Sequence, residues 1–192
     1  RIKKNAKVLI IGGGTIGSGS ENFYKKCKSK SSKIESIDVY YSENITAIAD
    51  AHYLPFENES YELVIIQAVL EHVVQPHKVV AEIFRVLKLG GFVYAETPFM
   101  QQVHEGAYDF NRFTVLGHRY LFRNFESISI GGNGGPEKVF AWAIKYLAWS
   151  ITRSRFTGRA FGLFSNIILR PFAFLTSEMS MFDSSSGVFF LG

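Results

Sequence analysis

The stretch KVLIIGGGTIGSGS, Lys7 to Ser20, constrains this chain more than any other. Val8, Leu9, Ile10 and Ile11 form an apolar run without alternation, which suits a strand buried on both faces of a parallel sheet. Three consecutive glycines follow, then Gly17 and Gly19, and a helix is expected from Glu21 to about Ser29. A strand that breaks on glycine and opens a helix builds a ligand site in two ways. Its backbone can approach a bulky cofactor, and the helix start offers free N–H groups. Gly12, Gly14 and Gly17 satisfy G-x-G-x-x-G, which taken alone points to a dinucleotide.

At 192 residues, 47% hydrophobic and 20% charged, the chain fits one domain with a sizeable core. Its first residue is Arg, so the lack of a leader-like segment carries little weight. The single cysteine, Cys27, excludes an internal disulfide framework and suits a reducing, cytoplasmic setting. The net charge of +4 owes much to lysines before residue 34. No aromatic residues interleave with them as a strand-binding groove requires, so nucleic acid is not an expected partner.

Further strands are expected at Lys33–Tyr41, Ile45–Asp50, Tyr61–Ala68, Phe92–Thr97, Phe125–Ile130 and Val188–Leu191. The join between the second and third is too short for an ordinary parallel crossover. Pro76 starts a helix whose apolar face is Val79, Val80, Ile83, Phe84, Val86 and Leu87, with Lys88 at its end and Gly90–Gly91 stopping it. A third helix covers Thr114–Arg123, and GGNGGP at 131–136 reads as a break. The order is that of an α/β, doubly wound, mostly parallel sheet, whose ligand groups gather beyond the strand C-termini. From Glu137 the character changes. Lys138, Lys145 and Thr152, with Ala141 and Ala148, form one narrow stripe on an otherwise apolar helix, and a second apolar run spans Ala160–Leu175. Neither reaches the ~20 residues of a membrane-spanning helix. Packing on the domain is the expected fate, with a membrane surface or self-association through 137–181 as the alternative.

Four segments then narrow the reading: Asp50–Ala51 with Leu54–Pro55–Phe56, Tyr61–Glu62–Leu63–Val64, Leu70–Glu71–His72–Val73, and Arg85–Val86–Leu87–Lys88 with Gly90–Gly91. In this order they resemble the class I S-adenosylmethionine-dependent methyltransferases, most of all the small-molecule branch, from about Lys7 to Phe125. The resemblance implies a Rossmann-like sheet with a C-terminal antiparallel strand pair and a helical insertion. It implies one domain over 1–192: a cofactor-binding core at 7–135, an apolar helical insertion at 136–183 and a last strand at 187–192. It also implies S-adenosyl-L-methionine as cofactor. Gly12, Gly13 and Gly14 would take its methionine and ribose portion, and Gly17 would ease the turn. Asp38 would accept from both ribose hydroxyls, and Asp50 from the adenine amino group beside the Ala51 N–H. Gln67 and Ala68 would line the methionine side. Two departures stand out: Ile10 is apolar where the family carries an acid, and Gly17 is displaced by one residue.

Methyl transfer asks the protein for proximity, alignment and exclusion of water, and for a base only if the acceptor must lose a proton. The loop Phe99–Phe113 holds the candidates His104, Glu105, Tyr108, Asp109 and Arg112. His104 is the best base by intrinsic acidity, and Arg112 could hold an acidic substrate. Asp109 and Arg112 could equally pair with each other. No metal cluster stands out. The expected activity is methyl transfer to a small-molecule acceptor, sugar or lipid-linked, at a cytoplasmic site or one peripheral to a membrane. A nicotinamide-dependent oxidoreductase and a noncatalytic binding or scaffold protein are the alternatives.

Overall fold

The computed structural model describes residues 6–14, 33–104 and 106–192. The expected helix at 21–29, Cys27, Gly17 and Glu105 lie outside them.

Seven strands form one sheet in the order β3-β2-β1-β4-β5-β7-β6. They are β1 (Lys7–Ile11), β2 (Lys33–Asp38), β3 (Ala47–Ile48), β4 (Tyr61–Gln67), β5 (Leu87–Pro98), β6 (Ser129–Asn133) and β7 (Gly187–Leu191). The first five run parallel, and β7 lies antiparallel between β5 and β6. The unbroken apolar run of β1 has a direct cause. Leu9 and Ile11 join Val64 and Ile66 in the main core on one face, while Val8 and Ile10 join Leu63 and Ile65 on the other. With both faces covered, neither set of alternating positions can be polar.

Helix α1 (Pro76–Val86) starts with Pro76 in its first turn and buries Val79, Val80, Ile83 and Val86 in the main core. Each fully buried aliphatic side chain contributes on the order of 2 kcal/mol before conformational entropy is charged. The helix ends sooner than its sequence suggests. Leu87 is already extended and opens β5, Phe84 is half-exposed, and the basic residue of the last turn is Arg85. Lys88 instead pairs with Glu62. Gly90, at φ +73°, turns a bulge within β5 that carries the register from Tyr61↔Leu87 to Leu63↔Phe92.

Strand β2 stops at Asp38, leaving Val39, Tyr40 and Tyr41 exposed. Strand β3 keeps only two residues, beside Ile37 and Asp38. Because it meets only the tip of β2, the chain never travels back along the whole strand, and the short join suffices. Thr46 completes the contact: its N–H donates to the Ser36 carbonyl at 2.7 Å, and its hydroxyl accepts from the Ser36 N–H at 2.9 Å.

The last strand pair departs from the sequence reading in register. Phe125 sits in a turn, and β6 takes in Gly131 and Gly132, which composition marks as a break. The ring of Phe189 and the segment around Met181 and Ser185 fill the space that side chains at these glycines would need. Between β6 and β7 lie α3 (Pro136–Thr152), α4 (Arg155–Leu169), a 3-10 stretch at Arg170–Leu175 and α5 (Glu178–Ser184). Helix α2 (Val115–Leu121) is capped by the Thr114 hydroxyl, which accepts from the Gly117 N–H.

The expectation that the apolar insertion packs on the domain holds for its end, where α5 lies against β6, and among the described residues α3 and α4 depart from it. Helices α3 and α4 pack against each other, and in α3 only Ala141 is buried. Gly158 and Gly162 bring the two backbones together: a Cβ at Gly158 would lie 2.8 Å from Trp149 Cβ, and one at Gly162 would lie 2.9 Å from Lys145 Cβ. Lys145 and Trp149 of α3 thus lie against α4, while Lys138 and Thr152 at the ends of the expected stripe are exposed. Phe140, Leu147, Ile151, Phe161, Phe164 and Ile167 are left at the surface.

Candidate functional site

The C-terminal edge of the parallel strands gathers the expected cofactor residues. Gly12 leaves β1 at φ +79°, a conformation that favours glycine, and a Cβ there would strike Val69 Cγ2 at 2.2 Å. The N–H groups of Gly12 and Gly13 both donate to the Ile37 carbonyl, at 2.9 and 3.1 Å. The Gly14 N–H donates to Asp38 Oδ2 at 3.0 Å, and the Ser42 hydroxyl donates to the Gly14 carbonyl at 2.8 Å. The glycine loop is therefore moulded onto the tip of β2, with the Asp38 carboxylate against it. Among the described residues, Asp38 Oδ1 accepts the Tyr40 N–H alone, at 3.3 Å. A carboxylate has about four acceptor positions, so room remains for hydroxyl donors.

Asp50 follows β3 with its side chain more than half exposed. Its Oδ1 accepts from the His52 N–H at 2.9 Å and lies 2.6 Å from His52 Nδ1. Burial pushes its acidity one way, but the bonds from His52 outweigh it and hold the carboxyl below its ordinary range. Ala51 beside it is buried in the main core. Gln67 ends β4: its amide nitrogen donates to Glu96 Oε2 at 2.5 Å, while its amide oxygen is buried without a partner among the described residues. Ala68 takes a left-handed φ of +53°, and its N–H donates to the Glu96 carbonyl at 3.0 Å. An orphaned acceptor at Gln67, a carboxylate with spare acceptor capacity at Asp38 and a glycine loop between them fit a polyhydroxylated, amine-bearing cofactor. Ile10 lies in the apolar cluster on the far face of the sheet, so it offers that cofactor no polar group.

The second half of the site is built where the segment after β4 meets the loop after β5. The Glu71 carbonyl accepts from the Phe110 and Asn111 N–H groups at 2.7 and 3.1 Å, and Asn111 Nδ2 donates to the Val73 carbonyl at 2.7 Å. These bonds tie the two loops together. Asp109 and Arg112 form a two-point ion pair, and the guanidinium also donates to the carbonyls of Gln101, Gln102 and Asn111. Every Arg112 N–H thus has an acceptor inside the loop, so the free fork that gripping an acidic substrate would require is not there. Arg112 holds the Asp109 carboxyl far below the usual carboxylate range against the opposing effect of burial, which makes Asp109 a poor base. Asp109 in turn orients His104: Oδ2 accepts the His104 N–H at 3.0 Å and lies 3.4 Å from His104 Nδ1. Tyr108, in a one-turn 3-10 helix, is exposed.

Sequence reasoning left two members of this cluster aside. Glu71 has a side chain with no exposure and no hydrogen-bond partner for either oxygen among the described residues, with His72 Nε2 3.7 Å from Oε1, and burial raises its carboxyl to about 7. The His72 ring meets the His104 ring edge to face, with centroids 5.1 Å apart. The signal was present in Leu70–Glu71–His72, whose acid and imidazole lie next to each other at a strand end.

The other motif segments prove to be one structure. Arg85 donates to the Leu54 and Phe56 carbonyls at 3.0 and 2.8 Å and to Asn58 Oδ1 at 2.9 Å, while two 2.7 Å bonds tie it to Glu82. Glu82 Oε2 accepts the Leu54 N–H at 2.8 Å. The loop that follows Asp50 is thereby clamped to α1.

Residues 15–95, under half of the chain, match the family model described as "Methyltransferase domain". No curated protein matches the sequence. Solved structures show the same fold. A SAM-dependent methyltransferase from Archaeoglobus fulgidus aligns over 98% of this chain and 86% of its own, at 13% identity and TM-score 0.61. The [4+2]-cyclase SpnF aligns over 99% and 74%, at 14% identity and TM-score 0.61. Phosphoethanolamine N-methyltransferase 2 of Haemonchus contortus, solved with phosphomonomethylethanolamine and S-adenosylhomocysteine, aligns over the whole chain at 17% identity and TM-score 0.56; the chain spans about half of its length (49%).

Proposed function

We infer that this chain, a class I S-adenosylmethionine-dependent methyltransferase by its family match and its fold, transfers a methyl group to a small-molecule acceptor. One observation carries the site assignment: Asp38 and the Gly12–Gly14 loop are locked together at the same sheet edge as the orphaned amide oxygen of Gln67. S-adenosylmethionine, when bound, supplies an electrophilic methyl on a sulfonium centre. Gly12 to Gly14 let the backbone close on it, Asp38 accepts from its ribose hydroxyls, and Asp50 with Ala51 receives the adenine. Gln67 and Ala68 face its amino-acid end. On the acceptor side, His104 is the residue able to take a proton, with its ring set by Asp109 and with Arg112 holding Asp109. Tyr108, exposed on the same loop, is a further acceptor contact. The fold alone does not dictate methyl transfer, since a cyclase shares it.

Calorimetric titration with S-adenosylhomocysteine tests this reading. We expect micromolar binding that Asp38→Ala weakens at least tenfold. Binding of NAD in place of S-adenosylhomocysteine would overturn it in favour of an oxidoreductase, and binding of neither would favour a scaffold.

We assign the insertion at 137–181 to an anionic membrane surface, which suits a lipid-linked acceptor. From Lys138 to Ser177 it carries Lys138, Lys145, Arg153, Arg155, Arg159 and Arg170 and no acidic residue. Its apolar side chains face outward, and no helix among the described residues is long and apolar enough to cross a membrane. Exposed Phe, Leu and Ile flanked by cations match the chemistry of an interfacial helix. Flotation with vesicles of phosphatidylglycerol and phosphatidylcholine should carry the chain upward, and Phe161→Ser with Phe164→Ser should abolish this. Failure to float, or concentration-dependent dimers in sedimentation, would overturn the assignment, the latter in favour of self-association.

A further inference from the structure

Beyond the tips of β4 and β5, a carboxylate and two imidazoles turn towards one another. We propose that Glu71, His72 and His104 form a binding site for a divalent transition-metal cation. One ligand atom from each lies within 4.8 Å of the others, and His72 Nε2 is 3.7 Å from Glu71 Oε1. No ligand of this kind was evident in the sequence, because the chain separates His104 from the other two and only the loop packing reunites them.

Three features mark this as a built site. First, the Glu71 side chain has no exposure, and neither carboxylate oxygen has a hydrogen-bond partner among the described residues. An ionised carboxylate in that position is costly unless a cation meets it. An ion pair with His72 alone would use one oxygen and leave the other unmet. Second, each ring has an oxygen acceptor beside its Nδ1. His72 Nδ1 lies 2.5 Å from the Tyr108 carbonyl oxygen, which can only accept, so Nδ1 bears the proton and Nε2 keeps its lone pair. His104 Nδ1 likewise faces Asp109 Oδ2 at 3.4 Å, and Arg112 fixes Asp109. Outer acceptors that hold one imidazole nitrogen and free the other are the usual support of a metal-binding histidine. Third, the backbone bonds from Phe110 and Asn111 to the Glu71 carbonyl hold the two loops in this register.

Two imidazoles and one carboxylate suit Zn²⁺, Co²⁺ or Mn²⁺ better than Ca²⁺ or Mg²⁺, which favour all-oxygen shells. Three protein ligands would leave coordination positions open. Holding an acceptor oxygen there rests on the methyl-transfer reading; occupancy by the cation does not. In the loaded protein His104 serves the acceptor through the cation rather than as a free base.

Tag-free full chain, stripped with a chelator, should be titrated with ZnCl₂ by calorimetry and with CoCl₂ by visible absorption. We expect one equivalent of Zn²⁺ and a Co²⁺ ligand-field band, both weakened at least about tenfold in Glu71→Gln and in His104→Ala. His77→Ala, on the exposed face of α1, should bind as wild type. Because His104 is a surface residue, its variant should melt like wild type without metal, so a loss of binding cannot be put down to unfolding. Absence of Zn²⁺, Co²⁺ and Mn²⁺ binding at millimolar metal, or equal binding by the His104 variant, overturns the proposal. S-adenosylhomocysteine titration of the same sample reports separately on the methyltransferase reading.

Discussion

Arg85 reaches across the domain to Leu54: its guanidinium donates to the Leu54 carbonyl at 3.0 Å, while Glu82, bonded to the same guanidinium, accepts the Leu54 N–H at 2.8 Å. One ion pair on α1 thus reads both backbone groups of a residue just after Asp50, which we propose receives the adenine. A lysine offers one point charge where this geometry needs a fork.

Arg85→Ala should cost about 2–3 kcal/mol, because it strands three carbonyl-type acceptors and the Glu82 carboxylate together. Arg85→Lys should recover less than half of that in urea denaturation. Both variants should also weaken S-adenosylhomocysteine binding, since the Asp50 loop loses its anchor. Unchanged affinity in a destabilised protein would separate the clamp from the site.

Gly14→Ala tests the moulding of the glycine loop. Its Cβ would lie 2.6 Å from Asp38 Oδ2, so the carboxylate must move or the loop must lift. We expect cofactor affinity to fall by about tenfold or more, with a melting temperature near that of wild type, because the clash is at the partly exposed rim and outside the core. Gly12→Ala should be worse in both respects, since it adds backbone strain at φ +79° to a contact with Val69.

Acid sensitivity should report on His118. The ring is buried against Phe113 and Phe122, neither nitrogen has a partner among the described residues, and burial lowers it to about 4 from an ordinary 6.5. The folded state therefore keeps the neutral form while the unfolded chain takes up a proton. The stability that this neutral ring provides is complete above pH 6.5 and drains away as pH falls from 6.5 towards 4, by roughly 3 kcal/mol in all. His118→Leu should flatten that limb of the stability–pH curve, as read from urea midpoints between pH 7 and pH 4.

The α3–α4 pair should depend on its glycines. Gly158→Leu forces a side chain into the space taken by Trp149 Cβ and the Lys145 carbonyl, 2.8 and 2.9 Å from the glycine's Cβ position. Limited proteolysis near Arg153–Arg155 should accelerate markedly, while S-adenosylhomocysteine binding is kept. Loss of cofactor binding would mean that the insertion supports the core, contrary to the packing seen.

Much of the parallel half was legible because its signals are local. Val8–Ile11 reads as a strand covered on both faces, Pro76 marks the start of a helix, and Asp38 falls near the C-terminal end of a strand that the sequence extends to Tyr41. Element ends were less legible. Leu87 continues the apolar period of α1 yet leaves it, because pairing with Tyr61 in the sheet outweighs one more helical turn. Gly131 and Gly132 look like a break and form a strand, because Phe189 and Ser185 need the room.

By itself the sequence determined the sheet's buried strands, the glycine loop and the resemblance that its motif segments carry, since periodicity and short motifs are written in consecutive residues. Tertiary structure alone decided three things. It spent the Arg112 fork on Asp109, it turned the apolar faces of α3 and α4 outward by packing their small residues inward, and it set the Glu71 carboxylate and the His72 and His104 rings around one point. Each depends on which distant backbone group or side chain comes to lie opposite, and chain folding fixes that through loop-to-loop hydrogen bonds that no local pattern encodes.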